Sequence, residues 1–276
     1  DDEKVDTVFT KNFTAQVPLE FKNGALNYNM NWYYGPAKYE ILDGYERNLD
    51  EVLPLGWGIF GWINRYIFIP VFGLISSIGI GYGMAIILFT ILVRIVMSPV
   101  TYKSYLSQAK MKVLRPEIME LNEKFKDNPM KKQQETMKLY SKAGVNPMAG
   151  CLPALMQLPV FYALFQFFPS MFDLRQKSFL WADDLSSFDA VIQLPFHIPF
   201  YGSHVSLFPI LASIAIFFYM KMTTGDQAMS TPPQEGMPDM GKIMKIMIYI
   251  SPVMMLFFFN NYASGLSLYY FISNLI

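Results

Sequence analysis

One run of residues limits what this chain can fold into more than any other. From Tyr66 to Val93 there are 28 consecutive positions without a charge, and Arg94 closes the run. As a single helix it would be roughly 42 Å long, well past the roughly 30 Å hydrocarbon core of a bilayer, so it must be divided. Ser76-Ser77 and the glycines at 79, 81 and 83 supply the break. The part after the break, Gly79 to Pro99, has the length of one bilayer-spanning helix and contains one charge, Arg94. A guanidinium facing lipid costs from about 2.5 to more than 10 kcal/mol, so a chain that keeps one there gives it water or a partner.

Composition extends this reading to the rest of the chain. At 53% hydrophobic and 16% charged, with 24 phenylalanines, 276 residues are too apolar for an ordinary soluble domain and fit a protein that crosses a membrane several times. The net charge is zero, but its parts are segregated. Asp1 to Tyr66 holds ten acidic and six basic residues, whereas Tyr102 to Asn146 holds ten basic and five acidic. Basic segments stay in the cytoplasm, so the second block is expected there and the first across the membrane. A single cysteine, Cys151, excludes an internal disulfide framework. Neither an initiator Met nor a signal-type leader precedes Asp1, and Ile276 lies inside an apolar run, so both ends are expected to be cut.

In chain order, residues 1–56 read as the carboxy-terminal remnant of a β-rich external domain. In LEFKNGALNYNMNWYY the pair Asn23-Gly24 marks a turn, and Leu26, Tyr28, Met30 and Trp32 alternate with asparagines. A lone hairpin on the membrane surface is the alternative. Residues 57–78, with Trp57, Trp62, Asn64, Arg65 and Tyr66, predict a helix lying in the outer interface, followed by a first span over 79–101. Residues 102–147 predict a cytoplasmic helical hairpin. Leu114, Ile118, Leu121 and Phe125 recur at helical spacing, Asp127-Asn128-Pro129 turns the chain, Met130, Met137 and Tyr140 mark the return, and Ala143-Gly144 ends it. The bland alternative is an inert solvated connector.

A second span is predicted at 148–169, kinked by Pro153 and Pro159 and carrying Gln157. Residues 170–204 form an external loop, 205–221 a third span, 222–243 a mobile cytoplasmic loop rich in Pro, Gly and Met, 244–260 a fourth span and 263–276 a fifth. The third and fourth spans are short, with 16 residues between His204 and Lys221 and 14 between Lys245 and Asn260, so the bilayer thins around them or their lysines snorkel. The fold class is therefore an all-α membrane protein with a five-helix core, a cytoplasmic hairpin and an outer interfacial helix.

Candidate site residues follow from polarity inside these spans. Thr90 lies one turn before Arg94 on the same face, Gln157 interrupts the second span, and the last span adds Ser267, Tyr269 and Tyr270. Polar groups from three helices suggest a hydrated pocket; the alternative is that Arg94, five residues from Pro99, simply reaches the interface. Catalytic readings are weaker. Ser264-Gly265 has no histidine to activate it, since His197 and His204 fall in the external loop, and two histidines seven apart with nearby aspartates are more often surface residues than a metal site. No GxxxxGK[ST] loop occurs, so nothing points to ATP. The 19 methionines suit adaptable packing against varied apolar partners better than a metal path. A small-solute channel or transporter is the competing class, but no internal repeat is visible.

Three motifs carry a resemblance. TILVRIVMSPVT, then a charged hairpin ending in GVNPMAGCLPALMQLPVFYALF, then SGLSLYYFISN, in that order, resemble the YidC-type membrane protein insertases, relatives of the Oxa and Alb proteins, from about residue 57 to the end. The resemblance implies a five-helix core around a hydrophilic groove, open to cytoplasm and lipid and closed to the outside, which receives single transmembrane segments of newly made proteins. It places the groove arginine on Arg94, with Thr90, Gln157, Tyr269 and Tyr270 beside it. It makes the hairpin an element that engages substrate and ribosome, names the Sec translocon as a partner, and expects a bacterial inner-membrane protein with residues 1–56 in the periplasm. No enzyme activity, cofactor, metal or sequence-specific nucleic-acid binding is implied. Tyr82 stands where several relatives carry tryptophan.

Overall fold

The computed structural model describes residues 14, 16, 18–19, 31–45, 47–125, 128–145, 152–223 and 240–276. The chain divides into two units, Asp1–Pro36 and Ala37–Ile276. In the first, the Tyr33 hydroxyl donates to the Pro36 carbonyl at 2.8 Å. The strands expected around Asn23-Gly24 lie outside the described residues, as do the 224–239 part of the expected cytoplasmic loop and Asp127 of the expected hairpin tip.

The second unit is mostly helical. Its elements are α1 (Tyr39–Asp43), α2 (Ile59–Ile63), α3 (Ile69–Ser76), α4 (Tyr82–Lys124), α5 (Pro129–Lys142), α6 (Leu152–Ser170), the strands β1 (Ala190–Ile198) and β2 (Gly202–Ser206), then α7 (Leu207–Thr223), α8 (Met240–Asn260) and α9 (Ser264–Leu275). A π-helical turn, Asn64–Phe68, joins α2 to α3 without a break. The chain leaves helix after Ser76 and re-enters at Tyr82 through Gly79 and Gly81, whose φ angles of 82° and 80° only glycine adopts without strain.

One feature of α4 differs from the sequence reading. It runs unbroken for 43 residues, through Pro99 and Pro116, so the boundary expected at 101/102 between first span and hairpin falls inside one helix. The physical reason is visible at Pro99. A helical proline frees the carbonyl four residues earlier, and here the Ser98 hydroxyl donates to that carbonyl, Ile95 O, at 2.7 Å. The return helix α5 packs on α4, and the Asn128 side chain caps it by accepting from the Lys131 N–H at 3.1 Å.

By length and hydropathy alone, Ile59–Ser76 is long and apolar enough to cross a membrane, as is Tyr82–Leu114, with mean hydropathies of 1.4 and 2.1. Yet both ends of the Ile59–Ser76 stretch sit at one end of the bundle. Before it, the Pro54 carbonyl accepts from the Ser170 hydroxyl at the end of α6; after it, the chain enters the start of α4 directly. Within it, Asn64 is fully buried and donates to Leu55 O at 2.7 Å and to Ala163 O of α6 at 2.9 Å. These bonds tie the stretch to α6 near that same end.

The helices α4, α6, α7, α8 and α9 alternate in direction, and α9 is central, packed against all four others. Without water to drive apolar surfaces together, helices in lipid associate through close packing and hydrogen bonds, and both are present. Phe89 of α4 stacks on Phe167 of α6 at 5.9 Å and meets Phe68 and Phe72 edge-on at 5.3 and 5.9 Å. Tyr269 of α9 joins the cluster from the other side.

The segment between α6 and α7, read from sequence as a plain external loop, is a folded roof containing an antiparallel β1–β2 ladder. It binds the ends of three helices. Asp189 Oδ2 accepts from the Leu207 and Phe208 N–H groups at the start of α7 and from the Trp181 indole, at 2.9 to 3.0 Å. Ser187 and Leu185 carbonyls accept from the Ser264 and Gly265 N–H groups that open α9. At the end of α8, the buried Asn260 side chain accepts from Ser206 N–H and donates to the Tyr201 and His204 carbonyls, while its own carbonyl takes Ser206 Oγ and His204 Nε2. That last bond requires His204 to carry its proton on Nε2. Beside the roof, Lys38 pairs with Asp173 at 2.9 Å, and this hydrogen-bonded carboxylate holds the Lys38 ammonium above its ordinary range.

Removing the Asn260 side chain orphans buried backbone groups, at roughly 1–3 kcal/mol for each group left unpaired. Asn260→Ala is therefore expected to lower the thermal midpoint of the purified full-length protein by several degrees; an unchanged midpoint would mean the roof does not depend on it. At Gly265 a β-carbon would lie 2.9 Å from the Phe168 ring and 3.0 Å from the Leu185 carbonyl. Gly265→Val should push α9 from the roof and cost about 1–3 kcal/mol, measured in the same melting assay.

Candidate functional site

Below the aromatic layer, away from the roof, the facing surfaces of α4, α6 and α9 turn polar. Arg94 is half-buried, and its guanidinium donates to the backbone carbonyl of Ser273 in the last turn of α9. Among the described residues no carboxylate forms an ion pair with it. Its Nε is buried and has no hydrogen-bond partner. A cation held by one charge-assisted bond to a neutral carbonyl keeps its charge uncompensated and several donors unused.

Around it stand the other residues singled out by sequence. Tyr269, 1% exposed, lies beside Ser273 and Gln157, and the Gln157 amide also lies beside Tyr270. Gln157 Nε2 and the Tyr270 hydroxyl are nevertheless buried without a well-formed partner, as is the hydroxyl of Ser267 one turn earlier on α9. Arg94, Gln157 and Tyr270 thus bring three orphaned polar atoms to one zone from three helices, and Ser267 adds a fourth nearer the roof. Each would cost about 1–3 kcal/mol if the zone stayed dry. Thr90 behaves differently. It is fully buried, and its hydroxyl donates back to Ile86 O at 2.7 Å, so it is satisfied within its own helix.

The site therefore has two layers. Toward the roof, the buried rings of Phe68, Phe72, Phe89, Phe167 and Phe168 pack against one another between the helices. Away from the roof the polar zone begins at Arg94. Sequence reasoning missed Ser273, which contributes a backbone carbonyl rather than its side chain, so nothing in its identity could reveal it. It also gave no bonding role to Asn64, or to Asp189 and Asn260, which fix the roof. Asn64 and Asn260 had a signal, an amide bordering a long apolar run; Asp189 had none, being one of several acids in the loop.

Comparison with known proteins agrees with this architecture. The family model of the 60Kd inner membrane protein matches residues 73–276. The chain is 46% identical to the membrane protein insertase YidC of Parabacteroides distasonis over 95% of its own length and 42% of the relative's. It is 44% identical to that of Bacteroides fragilis over 99% of the chain and 45% of the relative, and 43% identical to that of Porphyromonas gingivalis over 97% and 44%. The chain thus spans less than half the length of these relatives. It also resembles a crystal structure described as an active YidC insertase with its first transmembrane domain resolved, at a TM-score of 0.51 and 28% identity, covering 86% of this chain and 51% of that one. With the motifs, the helical architecture and these matches in agreement, the chain belongs to the 60Kd inner membrane protein family, the family of the YidC membrane protein insertases.

Proposed function

We propose that this chain is the membrane-embedded working part of an insertase, which takes up transmembrane segments of newly made proteins beside Arg94 and releases them into the bilayer without nucleotide. The observation that carries the reading is the contrast between the two layers: a sealed aromatic and roofed end, and an unneutralised cation among orphaned donors beneath it. In this reading α4, α6, α7, α8 and α9 make five crossings of the bacterial inner membrane. The roof and residues 1–56 face the periplasm, and the basic α4–α5 hairpin faces the cytoplasm. Ile59–Ser76 lies in the outer interface, because both of its flanks are tied to the roof end.

The mechanism lowers a barrier. Carrying a substrate's polar flank through about 30 Å of hydrocarbon is costly. Hydrated polar groups reaching halfway shorten the dry distance, and the Arg94 cation attracts carboxylates in the flank. Burial of the substrate's apolar segment in lipid then drives release, at about 25 cal/mol per Å². Substrates are nascent membrane proteins. The ribosome and the Sec translocon are the expected partners on the cytoplasmic side and in the membrane plane, and the hairpin is the surface that meets the ribosome.

Purified full-length protein in vesicles should insert a simple single-span precursor; a small-solute transporter would instead move solute and ignore the precursor. Arg94→Ala should reduce insertion of precursors with acidic flanks on the order of tenfold, about 1.4 kcal/mol, and affect neutral flanks much less, with Arg94→Lys milder. Equal losses for both flank types would remove the electrostatic role. Replacing the hairpin outside the bilayer with a short linker should impair insertion while the remaining helices keep their melting transition. Undiminished insertion after that replacement would reduce the hairpin to a connector.

A further inference from the structure

The roof carries one surface unlike the rest of it. No Asp, Glu, Lys or Arg occurs between Asp189 and Lys221, so the β1–β2 hairpin bears none of them. Val191, Ile192 and Phe196 of β1 are more than half exposed, and Phe200 at the tip is 91% exposed. The polar side chains the hairpin exposes are those of Gln193, His197 and Ser203. Large apolar side chains gathered in the open on one element mark a surface that meets something other than water.

The seat of the hairpin fixes the level of that surface. β2 is pinned across the end of α8, where Asn260 donates to the Tyr201 and His204 carbonyls at 2.8 and 2.9 Å and accepts from the Ser206 N–H. At the tip Asn261 donates to the Tyr201 carbonyl at 2.9 Å, and the Tyr201 ring meets Phe257 of α8 edge-on at 5.3 Å. Phe257 is three residues before the end of α8, so the tip reaches roughly 4.5 Å down the side of the helix. From there Val253, Met254, Phe257 and Phe258 continue an exposed apolar surface along α8.

The backbone of β1 narrows the choice of partner. Its sheet has two strands, so one edge of β1 is without a neighbouring strand. Such an edge is not tolerated in hydrocarbon, which keeps the strand at the headgroup level, where water and headgroups bond to it. Pro195 takes a donor out of the middle of β1 and so disfavours addition of a strand from a second copy or a substrate. An uncharged, apolar element with an aromatic tip, seated at a helix end, matches the outer boundary of a bilayer, where interfacial elements sink about 5–10 Å.

We propose that the β1–β2 hairpin is a membrane anchor that lies in the outer-leaflet interface beside α8, with Phe196 and Phe200 among the first acyl carbons and Gln193 and His197 among the headgroups. The proposal rests on the reading that α7 and α8 cross the membrane with the roof outside. The anchor holds the roof against the bilayer on the α7–α8 side, as Ile59–Ser76 does on the α4–α6 side.

The test uses full-length protein in a cysteine-free background (Cys151→Ala) carrying one of Phe196→Cys, Phe200→Cys, Asp183→Cys or Met254→Cys. Each is labelled with an environment-sensitive fluorophore and reconstituted into phosphatidylcholine vesicles whose lipids bear a spin label near the top or the middle of the acyl chain. The shallow spin label should quench positions 196 and 200 at least about threefold more than position 183, an exposed acid of the roof, and the deep one should quench position 254 best. Quenching at 196 and 200 no greater than at 183 overturns the anchor. Shielding of both positions from the lipid quencher and from aqueous iodide also overturns it, because protein would then cover the hairpin. Ile192→Cys replaces either reporter if that variant does not fold. If position 254 resists both spin labels, the crossing of α8 falls and the anchor with it; if 254 is quenched and the hairpin is not, the anchor alone falls. Precursor insertion is measured in the same vesicles. Its absence with the hairpin quenched sinks the insertase reading and upholds the anchor.

Discussion

The arrangement depends on α9 being held inside the bundle. Its first two N–H groups are taken by the Ser187 and Leu185 carbonyls of the roof, and Gly265 lets it approach so closely that a side chain would meet Phe168 and Leu185. With that end fixed, Tyr269, Tyr270 and Ser273 are set at the level of Arg94 and Gln157. A helix surrounded on every side has no lipid-facing surface to satisfy, so it can carry serines and tyrosines where an outer helix would carry leucine. The polarity of SGLSLYYFISN is thus a consequence of its central position.

The roof and the polar zone are complementary. Buried hydrogen bonds at Asp189 and Asn260 tie the ends of α7 and α8 to the same folded segment that holds α9, while aromatic rings from α3, α4, α6 and α9 fill the space beneath. At the opposite end the helices are joined by single side-chain bonds, Arg94 to Ser273 and Tyr105 to Tyr219, and the buried polar atoms of Gln157 and Tyr270 are without partners. One end is cross-braced and aromatic, the other more polar. That polarity is what the proposed one-sided groove requires.

Much of this was legible in the chain, for reasons that can be named. The break near Gly79 and Gly81 was visible because an uncharged run longer than a bilayer must be interrupted and glycine tolerates positive φ. Arg94, Gln157, Tyr269 and Tyr270 stood out because polar residues in apolar helices are costly and so are rarely idle. What escaped was set by tertiary bonds. Pro99 reads as a helix end, yet the Ser98 hydroxyl repairs the lost bond and the helix continues. The β1–β2 ladder carries no clean alternation, and its residues are largely exposed. The Ile59–Ser76 stretch has the composition of a span, and only its hydrogen bonds to the α6 end reveal where its flanks lie.

The unbroken course of α4 has a mechanical consequence. At 43 residues it is a rod roughly 65 Å long, carrying Arg94 in one half and the arm of the α4–α5 hairpin in the other, with no glycine or loop between them. Force applied to the distal arm is passed along the rod to the guanidinium, with Pro116 and Pro99 as the compliant points on the way. A load docking on the hairpin therefore tilts or steadies the charged face without any signal having to cross a flexible joint.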